Sequence, residues 1–161
     1  MKILIIGIVA SGKTTLAKRL SKENNISHYE IDSIVHDDFN NRKRSVLEQL
    51  EMINDINKNN DWIIEGTLRK NLDVLLEFAD KIIFIDIDKK IRKRRIVSRY
   101  IKQILGVEKC NYKPSLGIVK DMFKWTNDFE KEKISFLERI YKYEDKLIVL
   151  SSVNEINKYK L

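Results

Sequence analysis

The sequence predicts an α/β fold, a five-stranded parallel sheet with helices on both faces. Three observations carry that prediction. Short apolar segments alternate along the chain with segments patterned as helices. The short segments are apolar at successive positions, as strands covered on both sides are. A glycine-punctuated loop joins the first strand to the first helix, the place where α/β sheets bind anions.

Each element follows from local pattern. Residues 2–7 (KILIIG) read as a buried strand ended by glycine. Residues 12–24 read as a helix, with Leu16 and Leu20 four apart. Residues 28–32 (HYEID) form a short second strand. Residues 43–57 are helical, with Val46, Leu47, Leu50, Ile53 and Ile56 as the apolar face. Residues 62–65 (WIIE) are the third strand, 72–79 a short helix, and 81–86 (KIIFID) the fourth strand. Residues 89–105 form a two-faced helix. Val97, Tyr100, Ile101, Ile104 and Leu105 make one arc, and Arg92, Arg95, Arg99 and Lys102 make a basic stripe on the other side. Residues 106–115 are a loop holding the single proline. Residues 117–143 are a long helix with Ile118, Met122, Trp125, Phe129, Phe136, Ile140 and Tyr143 near helical spacing. Residues 146–150 (KLIVL) are the fifth strand, and a short helix ends the chain.

A length of 161 residues is one domain's worth, large enough for a core without disulfides. The 43% hydrophobic content excludes a disordered chain, and five glycines with one proline exclude collagen-like and low-complexity sequence. Cys110 has no partner for an internal disulfide, which points to a reducing cytoplasm. The longest apolar run, residues 3–10, falls well short of the roughly 20 residues of a membrane span. It leads into a motif where a signal peptide would have a cleavage site. Residues 89–113 hold ten Lys or Arg and one acid, Glu108. That segment carries +9 of a net +7, so the rest of the chain sums to −2. A basic segment of this kind attracts nucleotide phosphates, nucleic acid or acidic lipid.

Gly7-Ile-Val-Ala-Ser-Gly-Lys-Thr14 matches G-x-x-x-x-G-K-[ST], the Walker A or P-loop pattern, at every fixed position. Gly7 and Gly12 let backbone wrap a phosphate. The amides from Ala10 to Thr15 face the anion, Lys13 reaches the β- and γ-phosphates, and the Thr14 hydroxyl ligates Mg²⁺. Thr15 adds a contact to the α-phosphate. Asp32 ends the second strand, where ligands of parallel sheets bind. It is placed for a metal, a substrate hydroxyl or a bound water, the alternative being a helix N-cap. Glu65 ends the third strand as an outer-shell acid for Mg²⁺, the alternative being a solvated strand end. Arg69 follows four residues later, where it could clamp a phosphate. The Arg92/Arg95/Arg99/Lys102 stripe has few acidic partners in sequence, which favours a phosphate-facing role over a solvated face. Tyr112, Lys113, Met122, Phe123, Lys124 and Trp125 could stack a base or contact nucleic acid, against a plain core stripe. His28, His36 and Cys110 do not form metal-ligand spacing with one another, and His36 reads as exposed.

With these residues in place, the chain resembles the adenylate-kinase-like P-loop kinases. Trp62-Ile-Ile-Glu-Gly-Thr-Leu-Arg69 is similar to their apolar-acid-Gly-x-x-Arg segment, whose acid lies near Mg²⁺ and whose Arg holds the acceptor's phosphate. Asp86-Ile-Asp88 followed by Arg95-Ile-Val-Ser-Arg99 looks like their fourth strand end and the helix leading to a mobile lid. Within the group the chain resembles the bacterial DNA topology modulation proteins, on the phosphate loop, on Trp62 to Gly66, and on Asn111-Tyr-Lys-Pro114 with Met122-Phe-Lys-Trp125. The resemblance implies a three-layer P-loop NTPase fold with strand order 2-3-1-4-5. It also implies a single kinase-like domain over residues 1–161, with a basic lid-like insertion at about 89–125.

The chain departs from true adenylate kinase in having Glu65 for Asp, Thr67-Leu68 for Phe-Pro, no AMP segment near Asp32 and no four-cysteine lid. The expected function is therefore transfer of the γ-phosphoryl of Mg-ATP to a small acceptor, a nucleotide or nucleoside first. Lys13, Asp32, Arg69, Arg95 and Arg99 are the catalytic group. The alternatives are a nucleic-acid-linked ATPase that uses residues 89–113, and a nucleotide sensor without turnover. No nucleophilic tyrosine or strand gate supports a topoisomerase.

Overall fold

The computed structural model describes residues 1–37, 39–108 and 114–161. In chain order the elements are β1 (Lys2–Gly7), α1 (Lys13–Asn24), β2 (His28–Glu30), α2 (Ile31–Val35), β3 (His36–Asp37), β4 (Arg42–Lys43) and α3 (Val46–Asn57). There follow β5 (Trp62–Gly66), α4 (Val74–Phe78), β6 (Lys81–Ile85), α5 (Lys89–Ile104), α6 (Leu116–Ile140), β7 (Leu147–Leu150) and α7 (Val153–Lys158). Short 3₁₀ turns span Lys70–Leu72 and Tyr141–Lys146.

Five strands form one parallel sheet in the order β2-β5-β1-β6-β7. Chain numbering therefore differs from 2-3-1-4-5. Two short strands absent from the sequence reading, β3 and β4, take numbers three and four and stand apart as an antiparallel hairpin. Arg44 holds that hairpin by donating to the carbonyls of Ser33 (2.7 Å) and His36 (2.6 Å).

Alternation along each strand divides the core between two faces. Leu4, Ile6, Trp62, Ile64, Ile82 and Phe84 point to one side, under α2, α3, α4 and α6. Ile3, Ile5, Ile63, Ile83 and Ile85 point to the other, against Leu16, Ala17 and Leu20 of α1 and Ile156 of α7. Phe84, Phe129 and Phe136 stack in tilted contacts with centroids 5.3–6.5 Å apart, fixing α6 to the sheet.

Several helical expectations change. The second strand stops at Glu30, and the chain turns at once into α2, so Asp32 lies in a helix's first turn. The helix expected from residue 43 starts at Val46, because Ser45 and Glu48 form a reciprocal capping box. That start exposes Val46 and Leu47 and buries Gln49, Ile53 and Ile56. The segment 72–79 divides into a 3₁₀ turn and α4. The two-faced helix turns the opposite way from its apolar arc. In α5, Arg92 and Ile96 are buried, while Ile101, Ile104 and Leu105 are exposed. Glu130 of α6 explains the inversion: it pairs with Arg92, whose guanidinium also lies 5.8 Å from the Phe129 ring centre. In α6, Trp125 is exposed, so the core-stripe alternative does not hold at that position. Among the described residues no helix is long and apolar enough to cross a membrane.

Candidate active site

The parallel register aligns the carboxyl ends of four strands. Glu30 lies beside Glu65, Ile6 beside Gly66, and Gly7 beside Ile85. The loop between β1 and α1 rises from the middle of that row. Its path needs left-handed backbone at Ala10 (φ 60°) and Gly12 (φ 109°). At Gly7, a Cβ would stand 2.9 Å from both the Ile85 carbonyl oxygen and Ser11 Oγ. The loop folds on itself through the Ser11 amide, which donates to the Ile8 carbonyl at 3.2 Å. Ser11 is fully buried, and its Oγ lies among the buried polar atoms without a hydrogen-bond partner.

Lys13 follows the loop and donates from Nζ to the Ile8 carbonyl at 3.0 Å. Burial pushes its pKa below the ordinary lysine range, against the pull of Glu65 and Asp32 and with the repulsion of Arg99. The Thr14 hydroxyl donates to Glu65 Oε1 at 2.5 Å. Burial raises the Glu65 carboxyl above its ordinary range, and Thr14 and Lys13 oppose that rise. Thr67 donates to the Gly7 carbonyl at 3.3 Å and ties the end of β5 to the loop. Thr15 is exposed on α1.

Arg95 reaches the loop from α5. Its Nη1 donates to the carbonyls of Ser11 (2.8 Å) and Ala10 (3.3 Å). Arg99, one turn on, donates to Glu108 at 2.6 Å. Arg69 and Asp32 pair with each other at 3.3 Å, and Asp32 is largely exposed. The fold thus gathers Gly7, Ala10, Ser11, Gly12, Lys13, Thr14, Glu65 and Arg95, with Arg99, Asp32 and Arg69 at the rim. Arg92 leaves the proposed phosphate-facing stripe, because it lies beneath the surface and pairs with Glu130. The stripe is also less free of acids than the sequence suggests, since its partners come from elsewhere in the chain. Phe123 is covered by the Lys93 ammonium, 5.7 Å from its ring centre. His36 is exposed, as expected. Cys110, Asn111, Tyr112 and Lys113 lie outside the described residues.

The sequence names Asp86 at the fourth strand end and sets His28 aside as a ligand, but shows the partner of neither. Asp86, just beyond β6, pairs with Lys133 of α6 at 2.7 Å, beside the phosphate loop's own strand. Its place at a strand's carboxyl end was a usable signal, but nothing local marked Lys133. His28 and Glu30 both come within reach of Glu65. They also line an open cleft of about 510 Å³ at the sheet edge, with Tyr29, Ile34, Met52 and Ile56.

A family model described as an AAA domain matches residues 3–109. No curated protein matches the chain. Solved structures that share its fold include two shikimate kinases. Shikimate kinase from Bacteroides thetaiotaomicron aligns at 16% identity over 96% of this chain and 90% of its own, with a TM-score of 0.55. Shikimate kinase from Aquifex aeolicus vf5 aligns at 19% identity over 94% and 85%, with a TM-score of 0.50. The chain therefore has the fold of P-loop kinases.

Proposed function

Given a chain that belongs to the AAA domain family, we propose that it is a phosphotransferase that moves the γ-phosphoryl of Mg-ATP to a small acceptor. One observation carries the reading. The phosphate loop is fully shaped, with Lys13 at its base, Arg95 across its carbonyls, and the Thr14 hydroxyl held by the strand-end acid Glu65. The loop fits a polyphosphate. Gly7 leaves no room for a side chain where backbone must close round the anion, and the buried Ser11 hydroxyl is unengaged. The Thr14–Glu65 pair fits Mg²⁺, with Thr14 as ligand and Glu65 acting through water.

ATP supplies the phosphoryl group and Mg²⁺ the charge neutralisation; the chain supplies position. The loop amides from Ala10 to Thr15 hold the phosphates, and Lys13 exchanges the Ile8 carbonyl for their oxygens. Arg95 and Arg99 neutralise charge on the transferring group. Asp32 orients an acceptor hydroxyl, and Arg69, its partner, clamps an acidic group on the same molecule. Residues 89–125 act as a lid that excludes water and suppresses hydrolysis. The resemblance to adenylate-kinase-like proteins favours nucleotides or nucleosides as acceptors. The structural neighbours, named as shikimate kinases, add a small hydroxy acid. The resemblance to the DNA topology modulation proteins stays within this reading, with any effect on DNA an indirect one. The nucleic-acid alternative loses one of its cations, because Arg92 is buried and paired with Glu130. The reading also keeps the protein in the cytoplasm.

The test is ADP release from Mg-ATP across nucleosides, nucleotides, shikimate and simple alcohols, with wells for no acceptor and for duplex DNA. Stimulation by one small molecule is the expected result. Stimulation by DNA alone, or a flat rate in every well, would overturn the reading.

A further inference from the structure

β2 is an edge strand, and His28 and Glu30 are two residues apart on it, so both project from one face. The parallel register sets Glu30 directly beside Glu65 of β5, on that same face. One ligand-type atom from each of His28, Glu30 and Glu65 lies within 4.8 Å of the other two. These positions are 37 residues apart in sequence at their extremes, and only sheet pairing joins them.

Three further observations show that the cluster is more than neighbouring acids. His28 Nε2 is buried and has no hydrogen-bond partner, an arrangement that a ring nitrogen tolerates poorly without a ligand. Glu65 gives Oε1 to Thr14, and a carboxylate has a second oxygen to offer. Among the described residues Glu30 has one long ion pair, to Lys18 at 3.8 Å, too loose to saturate its oxygens.

We propose that His28, Glu30 and Glu65 form a binding site for a transition-series divalent cation of the zinc and cobalt class. The residue types argue the class. Bonds of ~2.0–2.2 Å to an imidazole nitrogen and two carboxylate oxygens bring ligand atoms closer than the 4.8 Å seen, a small side-chain adjustment. An imidazole ligand selects against Mg²⁺, which prefers oxygen and holds its waters, and favours metals higher in the Irving–Williams order. With three protein ligands the ion keeps open positions for water. The site adjoins the phosphate loop through Glu65, but it draws two of its three ligands from residues with no part in the phosphotransfer reading.

The experiment is a titration of the nucleotide-free 161-residue chain with Co²⁺ in a large excess of Mg²⁺, read by the cobalt visible absorption bands. One Co²⁺ per chain is expected, displaced by Zn²⁺ and not by Mg²⁺. His28→Ala and Glu30→Gln should each weaken binding about tenfold or more. Co²⁺ should raise the melting temperature of the parent protein more than that of either variant. Absence of saturable binding, displacement by Mg²⁺, or unchanged affinity in both variants would overturn the site. Glu30→Gln changes a partly exposed edge residue, so its fold is secure even if His28→Ala unfolds. No nucleotide or acceptor enters the titration, so its outcome is separate from that of the phosphotransfer reading.

Discussion

At Gly7 an added methyl would meet backbone on one side and the Ser11 hydroxyl on the other, each at 2.9 Å. Gly7→Ala should therefore lower stability by ~1–3 kcal/mol and weaken nucleotide binding, read by thermal melting and by a fluorescent ATP analogue. Lys13 offers a cleaner functional test, because its one hydrogen bond is to a loop carbonyl. Lys13→Ala should fold and lose about 100-fold or more in turnover; full ATP affinity and turnover in that variant would refute its role. Glu65 couples function to pH. Burial raises its folded pKa, so the folded state binds its proton more tightly than the unfolded chain does. Its contribution to stability is complete below the ordinary value of 4.5 and is lost as pH rises through the raised one. Glu65→Gln should thus melt higher than the parent at neutral pH, with the gap closing in acid, while Mg-dependent turnover falls.

At the scale of the element, α3 and α5 show how few atoms set a helix's start and facing. The capping box begins α3 three residues later than its pattern suggests. Arg42 and Ser45 hold the Glu48 carboxyl down at about 2. Its contribution to stability is present above its ordinary 4.5 and is lost as pH falls toward 2. Glu48→Gln should flatten the acid limb of a stability–pH curve, and Ser45→Ala should cost ~1 kcal/mol. In α5 the buried Arg92 answers to Glu130 across the helix pair. Glu130→Ala leaves that guanidinium buried and unpaired, and urea unfolding should show a loss of ~3–5 kcal/mol. The double variant Arg92→Met with Glu130→Ala should recover most of it. An undiminished stability in the single variant would mean that Arg92 escapes to solvent.

At the scale of the whole molecule, residues 89–125 close over the phosphate loop if they are a lid, while Phe129 and Phe136 keep the rest of α6 on the sheet. Trp125, exposed on α6, and Trp62, buried in β5, are the two tryptophans. In a Trp62→Phe background, Mg-ATP should change Trp125 emission; an unchanged spectrum at saturating nucleotide would rule out closure by that segment. Much of this architecture was legible in the sequence. The strand segments, their burial on both faces and the phosphate loop are local matters of residue type, alternation and spacing, so 2–7, 62–65 and 81–86 could be read directly. The sequence by itself also determined that Lys13 and Thr14 open a helix after a strand, because the loop's chemistry is contiguous. Tertiary structure decided what depends on partners far along the chain. The hairpin β3–β4 needed Arg44 reaching back to Ser33 and His36. The burial of Arg92 needed Glu130, 38 residues on. The meeting of His28 and Glu30 with Glu65 needed the register of β2 on β5. A side chain's facing is settled by the pairing and burial free energy of all its neighbours, and periodicity within one segment holds no information about which neighbours those are.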